Sequence, residues 1–274
     1  MERERLLLET DLFVLDMDGT FYLGDRLLEG SLEFLEEVRR LNKRFLFFTN
    51  NSSQSPRNYI QKLARMGCTI REDEIMTSGD VAAVFLQRNY PKKQVYLLGT
   101  PTLEENFLEN KIQLTKRKPD IVVVGFDKTL SYEKLERACT YIREGAMFVA
   151  THLDVNCPTE DGFIPDCGAI CAAIEVSTGR HPRFLGKPFR DTVDMVLDRM
   201  KVERSRVSFV GDRIYTDVKA GVQNGAKGIL VLSGETQLSD VAASDIKPDG
   251  IFTGLSEMAA ILKTFGSAAL GQDA

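Results

Sequence analysis

Leu12-Phe13-Val14-Leu15-Asp16-Met17-Asp18-Gly19-Thr20 is the stretch on which the reading of this chain turns. Four consecutive apolar residues are too few for a helix and suit a strand buried on both faces of a parallel sheet. That strand stops abruptly at two carboxylates, a glycine and a hydroxyl, so polar chemistry is set at its carboxyl end. In open α/β sheets this is the edge where ligands bind, because the loops there form a crevice beside helix N-termini. Asp16 and Asp18 are alternate residues that an extended backbone would aim the same way, while Gly19 permits a sharp turn that redirects the second. Two carboxylates this close repel, and they coexist most easily around a cation or with their proton affinities split. A hard divalent ion such as Mg²⁺, held by one or two carboxylates and by substrate phosphate oxygens, meets that need. On this reading Asp16 is a nucleophile that forms an aspartyl-phosphate, and Asp18 is the general acid that protonates the leaving alcohol. The plainer alternative is an Asp-rich turn that closes a strand.

Further along the chain the same arrangement recurs. Ser31 is expected to cap a helix with Leu32, Leu35, Val38 and Leu41 at helical spacing, and Arg44–Thr49 reads as a second buried strand ending in Thr49, Asn50, Asn51, Ser52 and Ser53. Strand, helix, strand at this length implies a parallel pair with a right-handed connection, which sets Thr49 at the same edge as Asp16. Its hydroxyl and the following amides suit a phosphoryl oxygen. A polar loop capping the helix that begins near Ser55-Pro56 is the ordinary alternative. After Phe184-Leu185-Gly186 comes Lys187, a cationic arm between a strand and a helix that is suited to hold a carboxylate and a phosphate together, although most lysines are simply solvated. The apolar run Val207–Val210 delivers Gly211 and Asp212, with Asp217 in the first turns of the next helix. Asp212 is read as a cation ligand and Asp217 as a group that orients the ion or Lys187 from behind. Ser233-Gly234-Glu235-Thr236 is a turn at the same edge.

Between these blocks the strand and helix rhythm restarts. Strands at Val95–Leu98, Ile121–Val124 and Met147–Ala150 alternate with helices near Asp80–Tyr90, Leu103–Glu109 and Tyr132–Arg143, which makes a second α/β unit inserted into the first. The expected division is a core over residues 1–78, an insert over 79–182 and a returning core over 183–274. Residues 151–168 read as a long polar loop entering a helix, and such loops are uncommon unless they do something. Asp127 reads as a turn residue, and the last helix as spanning about 255–265 with a frayed tail from Gly266.

The run FVLDMDGTFYLGD with FFTNNSS following it resembles the haloacid dehalogenase (HAD) superfamily of phosphatases, and within it the NagD-like, 4-nitrophenylphosphatase-type subfamily. Lys187 and the Gly211-Asp212…Thr216-Asp217 string match that superfamily's third and fourth motifs. The resemblance implies a HAD-like Rossmannoid core with a parallel sheet and a C2-type cap as the insert. It implies Asp16 and Asp18 as the catalytic pair, Mg²⁺ held by Asp16, the Asp18 carbonyl and Asp212, and phosphate held by Thr49, Asn50 and Lys187, with Gly19 and Asp217 in support. His152, Asp154 and Asn156, in the cap's long loop, are the residues it suggests for contact with the leaving group. The expected substrates are small phosphorylated metabolites such as sugar phosphates, nucleoside monophosphates and 4-nitrophenyl phosphate. Caps of this kind suggest a homodimer as the assembly.

Composition removes other classes. The 274 residues carry 35 Lys and Arg against 40 Asp and Glu, a net charge of −5, so no global basic field exists for nucleic acid or an anionic membrane. No apolar run approaches the ~20 residues of a membrane span, and MERERLLLET has too short an apolar core for a secretion signal, so the cytoplasm is the expected compartment. Five scattered cysteines without a CxxC pair argue against a disulfide framework or a structural zinc site, and Cys167 and Cys171 read as small packing residues. A phosphomutase or phosphotransferase on the same scaffold remains an alternative, as does a non-catalytic metabolite-binding regulator, although such a regulator would be expected to have lost Asp16 or Asp18.

Overall fold

The computed structural model describes residues 2–159 and 162–270. The chain divides into two compact units, one of Met1–Phe48, Ile60–Ile75 and Val193–Ala274, the other of Thr49–Tyr59 and Met76–Thr192.

In the first unit Leu12–Leu15 is the centre of the sheet, with every residue buried, as a strand covered on both faces requires. It runs parallel to Val207–Gly211 on one side and to Arg44–Thr49 on the other, with Leu15 opposite both Val210 and Phe47. Six strands lie in the order Gly250–Phe252, Lys227–Val231, Val207–Gly211, Leu12–Leu15, Arg44–Thr49, Ile75–Thr77. Aromatic side chains cement the faces: Phe13 meets Phe34 of the helix Ser31–Arg40 edge to face at 5.2 Å, and Phe21 meets Phe47 at 4.6 Å. Because Leu15 and Val210 are in register, the residues that follow them emerge side by side, and the Asp16 amide carries the ladder one step further by donating to the Val210 carbonyl at 2.8 Å. This register brings chemistry from both ends of the chain to one place.

Two local expectations are corrected and one element is added. Ser31 is the first helical residue and not the cap: Gly30 precedes it at a φ of 78°, and the Ser31 hydroxyl donates to the Phe21 carbonyl at 2.7 Å, a nearer acceptor than the helix end. The charged start of the chain forms a helix, Glu2–Glu9, because Leu7 has a buried place to go. The last helix runs Leu255–Leu270, with Gly266 buried against Leu41, so the fray expected from Gly266 does not begin there; residues 271–274 lie outside the described residues.

The second unit holds a four-stranded parallel sheet in the order Arg183–Phe184, Met147–Ala150, Ile121–Val124, Val95–Leu98. Its core gathers Val122, Val124, Phe148 and Ile174 with Cys139, Cys167 and Cys171, so these cysteines are packing residues with free thiols. Asp127 is a turn residue as expected, accepting from the Thr129 amide at 2.8 Å and pairing with Lys134 at 2.7 Å. Residues 151–168 are not a plain loop: Asn156–Thr159 and Gly162–Pro165 pair as an antiparallel hairpin, Cys157 opposite Ile164. Two prolines and the lack of strict apolar alternation hide this hairpin in the sequence.

Candidate active site

Asp16 leaves the central strand and Asp212 leaves its neighbour, while Asp217 sits in the wide turn Ile214–Val218 that follows, a π-type coil of the kind that re-aims side chains at functional sites. One carboxylate oxygen from each lies within 4.8 Å of the others. Asp217, expected only to orient from behind, therefore stands in the same cluster as Asp16 and Asp212. Asp212 is buried and held by specific donors: the Glu235 amide donates to its Oδ2 at 2.7 Å and Thr20 Oγ1 to its Oδ1 at 3.4 Å. Its carboxylate lies against bare backbone. A methyl group placed on Gly19 would stand 2.5 Å from Asp212 Oδ2, and one on Gly234 only 2.0 Å, so both positions require glycine for the carboxylate to fit. Burial, with repulsion from Asp16 adding to it, pushes the Asp212 pKa up to about 6. Three acids forced together at this cost, with oxygens converging, are the donor set a hard divalent cation takes, and the residues present fit Mg²⁺.

Asp18 is treated differently. Gly19, at a φ of 81°, turns the chain so that Asp18 faces Tyr22, whose hydroxyl donates to Asp18 Oδ2 at 3.2 Å. Burial raises the Asp18 pKa to about 6; the negative charge of Asp16 adds to this, while Lys62 and the Tyr22 hydroxyl oppose it. Two carboxylates two residues apart thus have separate surroundings, one among acids and one beside a phenol and a lysine. Tyr22 was not singled out in the sequence, where its only mark is its place four residues beyond Asp18 across a Gly-Thr turn.

The other expected residues lie in the second unit. Thr49 ends its strand and its Oγ1 accepts from the Asn51 amide at 3.1 Å. The Asn50 side chain bridges Lys187: its Oδ1 accepts from the Lys187 amide at 2.8 Å and its Nδ2 donates to the Lys187 carbonyl at 3.1 Å and to Asp154 Oδ2 at 3.2 Å. Ser78 Oγ donates to the Asn50 carbonyl. Asn50 thereby sets the backbone of Lys187, a buried cation at 2% exposure.

His152 and Asp154 come together with Asp166, one ligand atom of each within 4.8 Å of the others, while Asn156 stands apart from them. Asn156 is exposed at the start of the hairpin, Asp154 is engaged by Asn50, and the His152 ring is fully buried, contacting Asp166 Oδ1 at 2.8 Å through Nε2 and Thr151 Oγ1 at 2.9 Å through Nδ1. Asp166, unremarked in the sequence, caps the helix Cys167–Thr178; an Asp directly before an apolar helical run was the available signal. Burial pulls the His152 pKa down, but the Cys167 sulfur, the Asp166 carboxylate and Asp154 outweigh it and lift the value to about 9. A raised folded pKa adds stability that is full below the ordinary value of 6.5 and lost as the pH climbs through about 9. His152→Ala, which leaves Asp166 buried without its cation, is therefore expected to cost about 3 kcal/mol in urea unfolding at neutral pH. It is also expected to flatten the fall in thermal midpoint expected of the native chain between those two pH values.

The chain is similar to known proteins. Residues 13–113 match the family profile of haloacid dehalogenase-like hydrolases, and residues 184–258 match a second HAD-hydrolase-like profile. The acid sugar phosphatase of Staphylococcus saprophyticus is 34% identical over 90% of this chain and 95% of its own. The solved 4-nitrophenylphosphatase of Thermotoga maritima is 47% identical at a TM-score of 0.90, covering 93% of this chain and 98% of that one. A glycerol phosphate phosphatase of Mycobacterium tuberculosis, solved in complex with magnesium, is 30% identical at a TM-score of 0.86, covering 94% and 77%. Among the described residues no helix is long and apolar enough to cross a membrane.

Proposed function

The chain belongs to the haloacid dehalogenase-like hydrolases, in the NagD-like, 4-nitrophenylphosphatase-type group, and on that premise we propose that it is a Mg²⁺-dependent phosphatase of small phosphorylated metabolites. The observation that carries the reading is the convergence of Asp16, Asp212 and Asp217 with Asp18 turned apart from them. Asp16 attacks phosphorus in line, and the bond to the leaving oxygen breaks as Asp18 gives that oxygen its proton. Asp18, now a carboxylate, takes a proton from water as the water attacks the aspartyl-phosphate, releasing inorganic phosphate and restoring Asp16. Asp16, Asp212, Asp217 and the Asp18 carbonyl are the groups assigned to Mg²⁺, which when bound offsets the charge of the phosphoryl oxygens. Thr49 and Lys187 are assigned to those oxygens, with Asn50 fixing Lys187.

Selection of the leaving group is assigned to the insert, residues 79–182, as a cap, and sugar phosphates and glycerol phosphate are the substrate class favoured by the relatives' activities. Pairing through the cap and a cytoplasmic setting belong to the same proposal. The test is release of phosphate from 4-nitrophenyl phosphate and from a panel of sugar, glycerol and nucleoside monophosphates, each with Mg²⁺ and with chelator. Absence of metal-dependent turnover on every one of them ends the proposal. Asn50→Ala removes both bonds that set the Lys187 backbone, and is expected to lower kcat/KM about ten-fold or more, since each lost bond to a buried polar group weighs about 1 kcal/mol or more.

A further inference from the structure

Tyr22 is fully buried, and the reaction just described gives it no task. Its backbone is braced twice against the catalytic turn, the Tyr22 amide donating to the Met17 carbonyl at 3.1 Å and the Gly19 amide to the Tyr22 carbonyl at 2.8 Å. It also opens a small hairpin in which Tyr22 pairs with Leu27 and Leu23 with Arg26. The phenol is thus delivered to Asp18 from a fixed base. Over the face of its ring stands Lys62 Nζ, 4.0 Å from the centroid and 3.9 Å from Asp25 Oδ1. A cation over the ring draws electron density from the phenol and makes its O–H a stronger donor to Asp18 Oδ2.

We infer that Tyr22 is a positioning residue for the general acid: by holding Asp18 Oδ2 it fixes the carboxyl rotamer and leaves Oδ1 as the oxygen that hands the proton to the leaving group, with Lys62 strengthening the hold. The inference rests on the assignment of Asp18 as the acid. Its consequence is selective. An ester whose leaving oxygen departs readily as an anion, such as 4-nitrophenyl phosphate, needs little proton transfer, whereas an alkyl ester such as glycerol phosphate cannot leave without it.

The experiment is kcat/KM for a series of phosphate monoesters running from 4-nitrophenyl through phenyl to alkyl, because kcat/KM reports the step in which the leaving oxygen departs. Tyr22→Phe keeps the ring, the burial and the Lys62 contact. It is expected to lose about ten-fold on the alkyl esters, the worth of one hydrogen bond to the carboxylate that forms as the proton leaves, and under about two-fold on 4-nitrophenyl phosphate. Lys62→Met should tilt the series in the same sense by a smaller factor. In an Asp18→Asn background, Tyr22→Phe should change nothing further. An equal loss across the series, no loss at all, or a full additional loss in the Asp18→Asn background would each overturn the inference. Inactivity of the native protein towards every ester is a different result and speaks against the phosphatase reading itself.

Discussion

Asp16→Asn is expected to abolish hydrolysis, with turnover falling by a factor on the order of 10⁴ to 10⁶, as when a covalent nucleophile is removed from an enzyme whose remaining groups act only through it. The substitution is isosteric and the residue is only half-buried, so the fold has no reason to change. It also takes one negative charge from the cluster. Asp16 is one of the groups that raises the Asp212 pKa, so the variant should relieve repulsion while losing the reaction, and unfold no more readily than the native chain. Loss of rate without loss of stability separates a nucleophile from a structural acid. Rapid quench of the native protein with a labelled phosphate ester should leave acid-stable, base-labile label on the chain, and the variant should carry none. Metal-dependent turnover in Asp16→Asn at more than a small fraction of the native rate would remove Asp16 from its assigned role.

Much of this was readable before any coordinates, for a physical reason. Parallel strands buried on both faces are short and rich in apolar residues, so Leu12–Leu15, Phe45–Phe48, Ile121–Val124 and, with Ser208 inside it, Val207–Val210 stand out, and the polar residues within the next three positions are marked as edge groups. Asp16, Thr49 and Asp212 are marked in this way. What stayed hidden depends on contacts that no local pattern encodes. The pairing of Asn50 with Lys187 joins residues 137 positions apart, and only the folded chain shows that the amide braces the lysine. Asp217 entered the acidic cluster because the coil after Asp212 is wide, a geometry that the string Ile214-Tyr215-Thr216-Asp217-Val218 does not distinguish from an ordinary helix start. The family resemblance sets His152 in a substrate-facing loop, and only the folded chain shows its ring nitrogens meeting Asp166 and Thr151. A histidine's sequence neighbours say little about which cap or carboxylate its nitrogens will meet.

The proposed role of Mg²⁺ leads to the second large effect. Chelation should stop turnover, and restoring Mg²⁺ should return it; the sharper expectation concerns Gly234, which contributes no donor atom. Its backbone lies outside the left-handed region, so alanine is locally permissible there, unlike at Gly19 where the φ of 81° would add strain of its own. Yet a methyl group at Gly234 would stand 2.0 Å from Asp212 Oδ2 and 2.5 Å from its Cγ, far inside contact distance. Either the carboxylate rotates away or the Ser233–Thr236 turn shifts, and in both cases the 2.7 Å bond from the Glu235 amide is broken. Removal of such outer support from a ligating group weakens metal binding by about 10- to 100-fold. Gly234→Ala should therefore keep its unfolding transition within a few degrees of the native one while the Mg²⁺ concentration for half-maximal rate rises by that factor, with much of kcat recovered at saturating metal. A native Mg²⁺ requirement in Gly234→Ala would show that Asp212, placed as it is, does not hold the ion, and the carboxylate cluster would then need another explanation.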